Sequence, residues 1–354
     1  MTKHNLDRII EKVISDQRID FNEAFDLYNN ADILMLADLA NKKRYKLHPD
    51  PVVTFVVDRN INYTNVCVSG CLFCAYYRPP GHREAFVISK DALKQKIKET
   101  LSLGGTQILL QGGMNPQLEL DFYIDLLKFI KENFPVHIHG FSPPEIAFMA
   151  EKSSLSISET IKRLVDAGLG SIPGGGAEIL ADEIRKKISP KKCSADVWLE
   201  VMRTAHRLGL KTTATMMFGH IEKQEHIIEH LIKIRELQDE TGGFTAFIPW
   251  TFQPENTDIK VRAVTCAVYL KVLALCRLVL DNIQNIQASW VTQGDKIAQV
   301  ALAFGANDIG STMIEENVVA AAGVKYRLSK SEIIRLISEA GFKAVQRDCF
   351  YNPV

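Results

Sequence analysis

Residues 52–74 read VVTFVVDRNINYTNVCVSGCLFC, a β-rich run that leads directly into three closely spaced cysteines. Val, Ile and Thr dominate the run and favour a strand. The cysteines that follow are Cys67, Cys71 and Cys74. Since α/β enzymes build their active sites at the carboxyl ends of parallel strands, this order of elements predicts an α/β enzyme whose site begins at the cysteine loop.

The alternation of β-rich runs and helix-patterned segments continues along the chain. The predicted strands are 52–64, 106–112, 136–141, 169–174, 211–219, 244–252, 285–291 and 307–312. The predicted helices are 89–103, 120–132, 157–167, 177–188, 195–208, 223–240, 263–281 and 294–304. Eight repeats predict a parallel sheet and favour closure into a (β/α)8 TIM-type barrel. An open doubly wound sheet is the alternative, because periodicity alone does not reveal closure.

The two ends of the chain fall outside this repeat. Residues 1–50 have helical periodicity, and we interpret them as an N-terminal helical cap. The barrel is predicted over 51–325. Residues 326–354 form a short C-terminal tail, with one helix near 331–340 and an irregular end.

Composition excludes several classes of protein. The 354 residues contain 42 Lys and Arg and 42 Asp and Glu, so no overall charge favours nucleic acid or an anionic membrane. The N-terminus has no apolar signal region, and no apolar run is long enough to span a membrane. We therefore expect a cytoplasmic protein without a nucleic-acid or membrane partner.

The cysteines indicate a metal site rather than disulfides. Their number, seven, is odd, and three of them lie within eight residues. Three thiolates on one loop can bind three irons of a cubane and leave the fourth iron free for another ligand. The alternative is a structural zinc site that uses the same cysteines with His82.

Polar and glycine residues follow several predicted strands, as expected for a shared cavity at one face of a barrel. His137 and His139 share one face of their strand, and His139 is the better candidate acid or base, although a core histidine is the alternative. The segment 171–178, SIPGGGAE, permits close backbone approach to a ligand. A tight turn with Glu178 as a first-turn helix charge is the alternative there.

The Cys67-x3-Cys71-x2-Cys74 spacing resembles the radical S-adenosylmethionine (SAM) superfamily. This resemblance implies a [4Fe–4S] cluster on the three cysteines, with SAM bound to the open iron. It further implies that an electron donor such as flavodoxin or ferredoxin reduces the cluster, which cleaves SAM to a 5′-deoxyadenosyl radical.

The same resemblance implies a set of SAM contacts. Phe73 would lie against the adenine, and Glu178 would bind the ribose hydroxyls. Gln111, Gly112 and Gly113 resemble the segment that receives the methionine amino group. An acidic residue common in that segment is replaced here by Gln, so a backbone carbonyl contact is expected.

Longer segments resemble the futalosine-pathway enzymes of menaquinone biosynthesis, over roughly residues 50–325. They include SIPGGGAEIL (171–180), ASWVTQG (288–294) and FGANDIGSTMIEENVVAAAG (304–323). The last two resemble most the branch that cyclises dehypoxanthine futalosine. Aminofutalosine synthase and the deazaflavin-forming enzymes are the alternatives among enzymes, and a non-catalytic iron–sulfur or zinc scaffold is the alternative outside them.

The cyclisation implied by this resemblance requires hydrogen abstraction from the ribose, addition of the radical to an aromatic ring, and loss of a proton and an electron. His139 is the candidate base. Ser142, Gln253, Ser289 and Thr292 are the candidate contacts to the polar groups of the substrate. Apolar walls are expected from four side chains, Met216, Trp250, Phe252 and Trp290.

Overall fold

A computed structural model describes residues 3–354. The first two residues of the predicted cap lie outside the described part. The strands are β1 Val52–Val56, β2 Asp58–Asn62, β3 Gln107–Gln111, β4 His137–Gly140, β5 Ser171–Ile172, β6 Lys211–Phe218, β7 Phe244–Thr251, β8 Asn285–Ile286, β9 Asp308–Ser311 and β10 Lys343–Gln346.

Helices cover most of the remaining chain. They are α1 Lys3–Ile14, α2 Phe21–Asn30, α3 Ile33–Leu47, α4 Lys90–Ser102, α5 Leu120–Asn133, α6 Pro143–Lys152, α7 Ile157–Ala167, α8 Asp182–Ile188, α9 Ala195–Arg207, α10 Gln224–Thr241, α11 Cys266–Val279, α12 Trp290–Gln293, α13 Asp295–Ala301, α14 Val318–Ala321 and α15 Lys330–Glu339. Within residues 3–354, no helix has the length and apolar character needed to cross a lipid bilayer.

The strands form a ring. Strands β2 to β8 make one parallel sheet in sequence order, and β1 pairs in parallel with β9 and β10 in a second sheet. The two sheets are joined on both sides of β9. A parallel bridge links Gln287, just after β8, to Asp308, and the amide of Ile314 donates to the carbonyl of Asp58 in β2. The predicted (β/α)8 barrel class is confirmed.

Three local features differ from the sequence prediction. The run 52–64, predicted as one strand, is divided at Val57 into β1 and β2, which belong to different sheets. The C-terminal end, predicted as irregular, forms β10 beside β1. Helix α6 was not predicted, although Ser142 precedes two prolines and Glu145, an arrangement that favours a helix start.

The N-terminal helices cover one side of the barrel. Helix α3 packs against α11, and α2 packs against α10 and α11. The α11 sequence CAVYLKVLALCRLV is apolar nearly all round, as expected for a helix covered on two sides. Branched and aromatic side chains form the packed core of the barrel, and a cavity lies near its axis.

Candidate active site

The cysteine loop lies beyond the carboxyl end of β2 and is fixed by backbone hydrogen bonds. The amide of Cys67 donates to the carbonyl of Arg78 at 3.0 Å, and the amide of Val68 donates to the carbonyl of Met114 at 3.0 Å. Gly70 has φ +59°, a conformation that favours glycine, and it turns the chain between Cys67 and Cys71. The loop therefore has a fixed shape that does not depend on cysteine side-chain packing.

Hydrogen-bond donors surround the cysteine sulfurs. The amides of Ser69 and Met114 both lie 3.4 Å from Sγ of Cys67, and the hydroxyl of Ser69 lies 2.9 Å from Sγ of Cys71. Burial raises the pKa of all three thiols. Thiolates at such a buried site need a cation to stabilise them. Hydrogen bonds to cysteine sulfurs are also a feature that sets the reduction potential of iron–sulfur clusters.

The zinc alternative would add His82 to the three cysteines. Among the described side chains, no group of three His, Cys, Asp or Glu is arranged to hold a metal ion. His82 instead accepts a hydrogen bond from the amide of Glu84 through Nδ1, at 3.1 Å. A cubane places each cysteine on a different iron, which requires wider spacing than one zinc ion does.

The segment after β3 lies tightly against the cysteine loop. A Cβ atom on Gly113 would lie 2.1 Å from the carbonyl oxygen of Val66 and 2.8 Å from Cβ of Cys67, so only glycine fits. The amide of Gly112 donates to Oε1 of Glu145 at 2.9 Å. The same carboxylate also accepts from the hydroxyl of Tyr63 at 2.7 Å. Glu145 thus holds the backbone that would receive a ligand above the cluster.

Glu178 follows β5 in a strained conformation. Its φ is +42°, which is unusual for a residue with a side chain, and its buried carboxylate accepts from Nζ of Lys192 at 2.9 Å. The second oxygen, Oε2, has no hydrogen-bond partner within the described chain and lies 3.6 Å from Arg185. Lys192 also lies over the Phe73 ring, 5.0 Å from its centroid. A buried oxygen without a partner is what a bound hydroxyl would satisfy.

A cavity of about 290 Å³ occupies the barrel axis. Side chains from β2, β3, β4, β6, β7 and β9 point into it, and along β3 every second residue lines it: Gln107, Leu109 and Gln111. Trp250 and Trp290 form apolar walls. The size and mixed lining are those of a small-molecule site.

Polar residues close the cavity at the amino ends of the strands, and we call Asp58, Gln107, Asp308, Arg347 and Tyr351 the floor. Asp58 accepts from Gln107 at 2.9 Å, and burial raises the pKa of Asp58. Arg347 makes two hydrogen bonds to Asp308, at 2.6 and 3.0 Å. The Oε1 atom of Gln107 and the hydroxyl of Tyr351 have no partner within residues 3–354. Both atoms are therefore buried polar groups without a partner at the base of the cavity.

His139 lines the cavity just above the floor. Its Nδ1 lies 2.6 Å from Oγ of Ser171, and Nε2 of His137 lies 2.7 Å from the same hydroxyl. Burial, together with His137 and Arg347, lowers the pKa of His139 to about 3. The imidazole is therefore neutral at physiological pH and offers one ring nitrogen as an acceptor.

The structure gathers some of the predicted substrate residues and separates others. His139, Ser289 and Thr292 line the cavity, as does Gln111, which was predicted as a SAM contact, and the hydroxyls of Ser289 and Thr292 lie 2.9 Å apart. Four other residues predicted around the substrate do not line it. Ser142 caps α6 and bonds to Glu145, Gln253 donates to Thr251, and Met216 and Phe252 belong to the core.

Sequence reasoning missed the contribution of the C-terminal tail. Arg347, Cys349 and Tyr351 line the cavity because β10 pairs with β1 and returns the chain to the barrel floor. The segment 347–351 looks irregular in sequence. Its residues Arg347 and Tyr351 therefore carry no local signal of burial. Asp58 was also missed. It follows the largely apolar residues 52–57 in the strand run, and it could have been recognised there as a buried charge.

Comparison with known families agrees with this geometry. Residues 61–234 match the radical SAM superfamily, and residues 241–354 match the family described as the CofH/MqnC C-terminal region. A protein from Halalkalibacterium halodurans named cyclic dehypoxanthine futalosine synthase is 46% identical over 99% of this chain and 95% of its own length. The chain belongs to the radical SAM superfamily.

Further relatives have either the same name or a different one. A Streptomyces coelicolor protein, also named cyclic dehypoxanthine futalosine synthase, is 43% identical over 99% of this chain and 89% of its own length. An Archaeoglobus fulgidus protein named 5-amino-6-(D-ribitylamino)uracil–L-tyrosine 4-hydroxyphenyl transferase is 42% identical over 89% of this chain and 92% of its own length. The chain is therefore a radical SAM enzyme of a family that includes both names.

Two solved structures share the fold. The [FeFe]-hydrogenase maturase HydG gives a TM-score of 0.75 at 17% identity, covering 99% of this chain and 76% of that chain. Methylornithine synthase gives 0.71 at 20% identity, covering 95% and 97%. The superfamily implies a [4Fe–4S] cluster and SAM, which fit the sulfur-directed donors at the cysteine loop and the unpartnered oxygen of Glu178.

Proposed function

We propose that this enzyme cyclises dehypoxanthine futalosine to its cyclic form, a step of menaquinone biosynthesis. The observation that carries the proposal is the similarity to the Halalkalibacterium halodurans protein, which runs through the barrel and the tail at 46% identity. The tail matters here because it supplies part of the cavity.

In this proposal, Cys67, Cys71 and Cys74 hold the cluster, and an external electron carrier such as flavodoxin or ferredoxin reduces it. Phe73, Glu178 and the segment Gln111, Gly112 and Gly113 hold SAM. When bound, the two cofactors supply a 5′-deoxyadenosyl radical that removes a hydrogen atom from the substrate.

The protein side chains orient the substrate and exclude water. Trp250 and Trp290 would flank the aromatic ring, since both line the cavity and present apolar faces. The hydroxyls of Ser289 and Thr292 would bind polar groups of the substrate. His139 would receive the proton that the ring loses when it regains aromaticity, because its neutral imidazole lines the cavity.

The test is to incubate reduced, cluster-loaded enzyme and SAM with dehypoxanthine futalosine and to analyse products by mass spectrometry. We expect 5′-deoxyadenosine and a product two hydrogens lighter than the substrate. Parallel reactions should contain tyrosine with 5-amino-6-(D-ribitylamino)uracil, or the substrate of aminofutalosine synthase. Turnover of either of these, without turnover of dehypoxanthine futalosine, would replace the proposal.

A further inference from the structure

His139, Ser171 and His137 form a continuous hydrogen-bonded chain between the cavity and the amino-terminal side of the barrel. The two distances, 2.6 and 2.7 Å, are those of well-formed bonds to a single hydroxyl. Ser171 is buried and lies opposite His139 in the pairing of β4 and β5. His137, the first residue of β4, is half-buried and does not line the cavity.

We propose that this chain of three residues is a proton relay that carries the proton lost by the aromatic ring out of the cavity to solvent. The inference rests on the proposed cyclisation, which is the reaction that releases this proton. His139 would be its catalytic residue, and Ser171 and His137 would act through it.

The hydrogen bonds are compatible with transfer from His139 to His137. In the tautomer in which Nδ1–H of His139 donates to Ser171, the hydroxyl of Ser171 donates to Nε2 of His137. The thiol of Cys349, 3.3 Å from the same hydroxyl, then donates to the remaining lone pair of Ser171. In this tautomer Nε2 of His139 is an acceptor without a hydrogen bond within residues 3–354, and a substrate in the cavity meets a lone pair and not an N–H group.

The transfer balances as follows. The C–H bond at the ring carbon breaks, and an N–H bond forms at Nε2 of His139. The Nδ1 proton of His139 moves to Ser171, and the hydroxyl proton of Ser171 moves to Nε2 of His137. The N–H bond at Nδ1 of His137 then breaks and that proton passes to solvent, which returns His137 to its neutral form. The C–H electron pair stays in the ring, and the surplus electron passes to a one-electron carrier of the flavodoxin or ferredoxin class.

The surroundings favour release at the outer end. Burial lowers the pKa of both histidines, but Arg347 near His139 adds to that lowering, whereas Asp348 near His137 opposes it. Phe350 packs edge-on against His137, with ring centroids 5.0 Å apart. The tail thus covers the relay while leaving its outer histidine half-buried. Release on this side also keeps exchangeable protons away from the cysteine loop at the opposite end of the barrel.

The test compares Ser171→Ala, which breaks the relay, with Ser171→Thr, which retains a hydroxyl. His137→Gln interrupts the outer end without changing the cavity lining. The measured quantities are the cyclised product formed per 5′-deoxyadenosine and the solvent isotope effect on product formation. Hydrogen abstraction precedes the relay, so 5′-deoxyadenosine formation should persist in each variant.

We expect Ser171→Ala and His137→Gln to lower the ratio of product to 5′-deoxyadenosine by about tenfold, which is less than the roughly 100-fold or more lost with a group that itself takes the substrate proton, because both residues act through His139. Ser171→Thr should restore the ratio. The matched control is His206→Gln. His206 is also bonded to two hydroxyls, of Thr241 at 2.6 Å and Thr212 at 2.7 Å, but it lies outside the cavity.

Two results separate this inference from the proposed function. If the unaltered enzyme makes no cyclised product, the proposed function fails. If it makes the product, and folded Ser171→Ala and His137→Gln retain its product ratio and solvent isotope effect, the relay is overturned while the cyclisation stands. A ratio lowered equally by His206→Gln would also overturn the relay, because it would trace the loss to general destabilisation.

Discussion

The two ends of the barrel are built in different ways. At the carboxyl ends of the strands, residues 67–74 form one short loop whose cysteine sulfurs are bonded by neighbours such as Ser69. At the amino ends, the floor joins residues far apart in the chain, with Arg347 bound to Asp308 and Asp58 bound to Ser311. The cysteine loop presents its sulfurs from one short segment whose shape is set by its own backbone. The floor, in contrast, forms only after the ring of strands has closed.

The first way to test this contrast is to remove a cluster ligand. Cys71→Ala should abolish the visible absorbance of the cluster. It should also lower activity by more than about 100-fold, because that is the largest loss typical of residues that only support a metal ligand. Because the loop is held by backbone bonds, the free energy of unfolding of the apoprotein should change little. Cys266→Ala, an exposed cysteine at the start of α11, is the control. Retention of the full cluster would contradict the cysteine assignment.

The corresponding change in the floor is Arg347→Met. It leaves the buried carboxylate of Asp308 without its partner, which typically costs about 3–5 kcal/mol. We expect a lower free energy of unfolding in denaturant titrations, with normal cluster loading of the folded fraction. The double variant Asp308→Asn with Arg347→Met should recover part of the loss. An unchanged free energy of unfolding would show that the floor does not depend on this pair.

A smaller effect is expected for Glu145, whose carboxylate both caps α6 and holds the segment proposed to bind SAM. Glu145→Gln keeps the size of the side chain but turns one acceptor into a donor, and should cost about 1–3 kcal/mol. Because Glu145 also holds the Gly112 amide, SAM should bind more weakly in equilibrium titrations.

The matched control for this change is Glu159→Gln. Glu159 accepts from Ser156 in the same capping arrangement, at 3.0 Å from its amide and 2.7 Å from its hydroxyl, but it lies on the exposed start of α7. It should lower stability slightly and leave SAM affinity unchanged. Equal SAM affinities in the two variants would remove the role given to Glu145.

The smallest effect concerns pH. The pKa of His139 is lowered from 6.5 to about 3 by burial, so between these values the unfolded chain binds a proton there and the folded chain does not. The free energy of unfolding should therefore fall as the pH falls, by about 1 kcal/mol from this residue between about pH 7 and pH 5.5. His139→Gln should reduce this slope in denaturant titrations at each pH. An unchanged slope would mean that His139 is not buried neutral.

Particular residues show how far sequence reasoning reached. The cysteine loop and the strands with polar ends were predicted because their signals are local: residue spacing for the loop, and β-branched runs for the strands. His139 lines the cavity, and strand alternation assigns it a face. Ser289 and Thr292 also line the cavity, but they lie at the short helix α12, where strand alternation does not apply. Ser142 was placed on the substrate, but it caps α6, because the same Ser-Pro-Pro-Glu pattern serves helix initiation.

The sequence by itself determined the repeated β/α pattern and the cysteine loop, because both depend on contacts between residues close in the chain. Only the tertiary structure decided that β1 and β2 separate at Val57 and that β10 returns beside β1. These events bring Arg347, Cys349 and Tyr351 to the cavity. The physical reason is that strand pairing between residues some 290 positions apart, such as Val52 and Lys343, depends on ring closure and leaves no periodic trace in either segment.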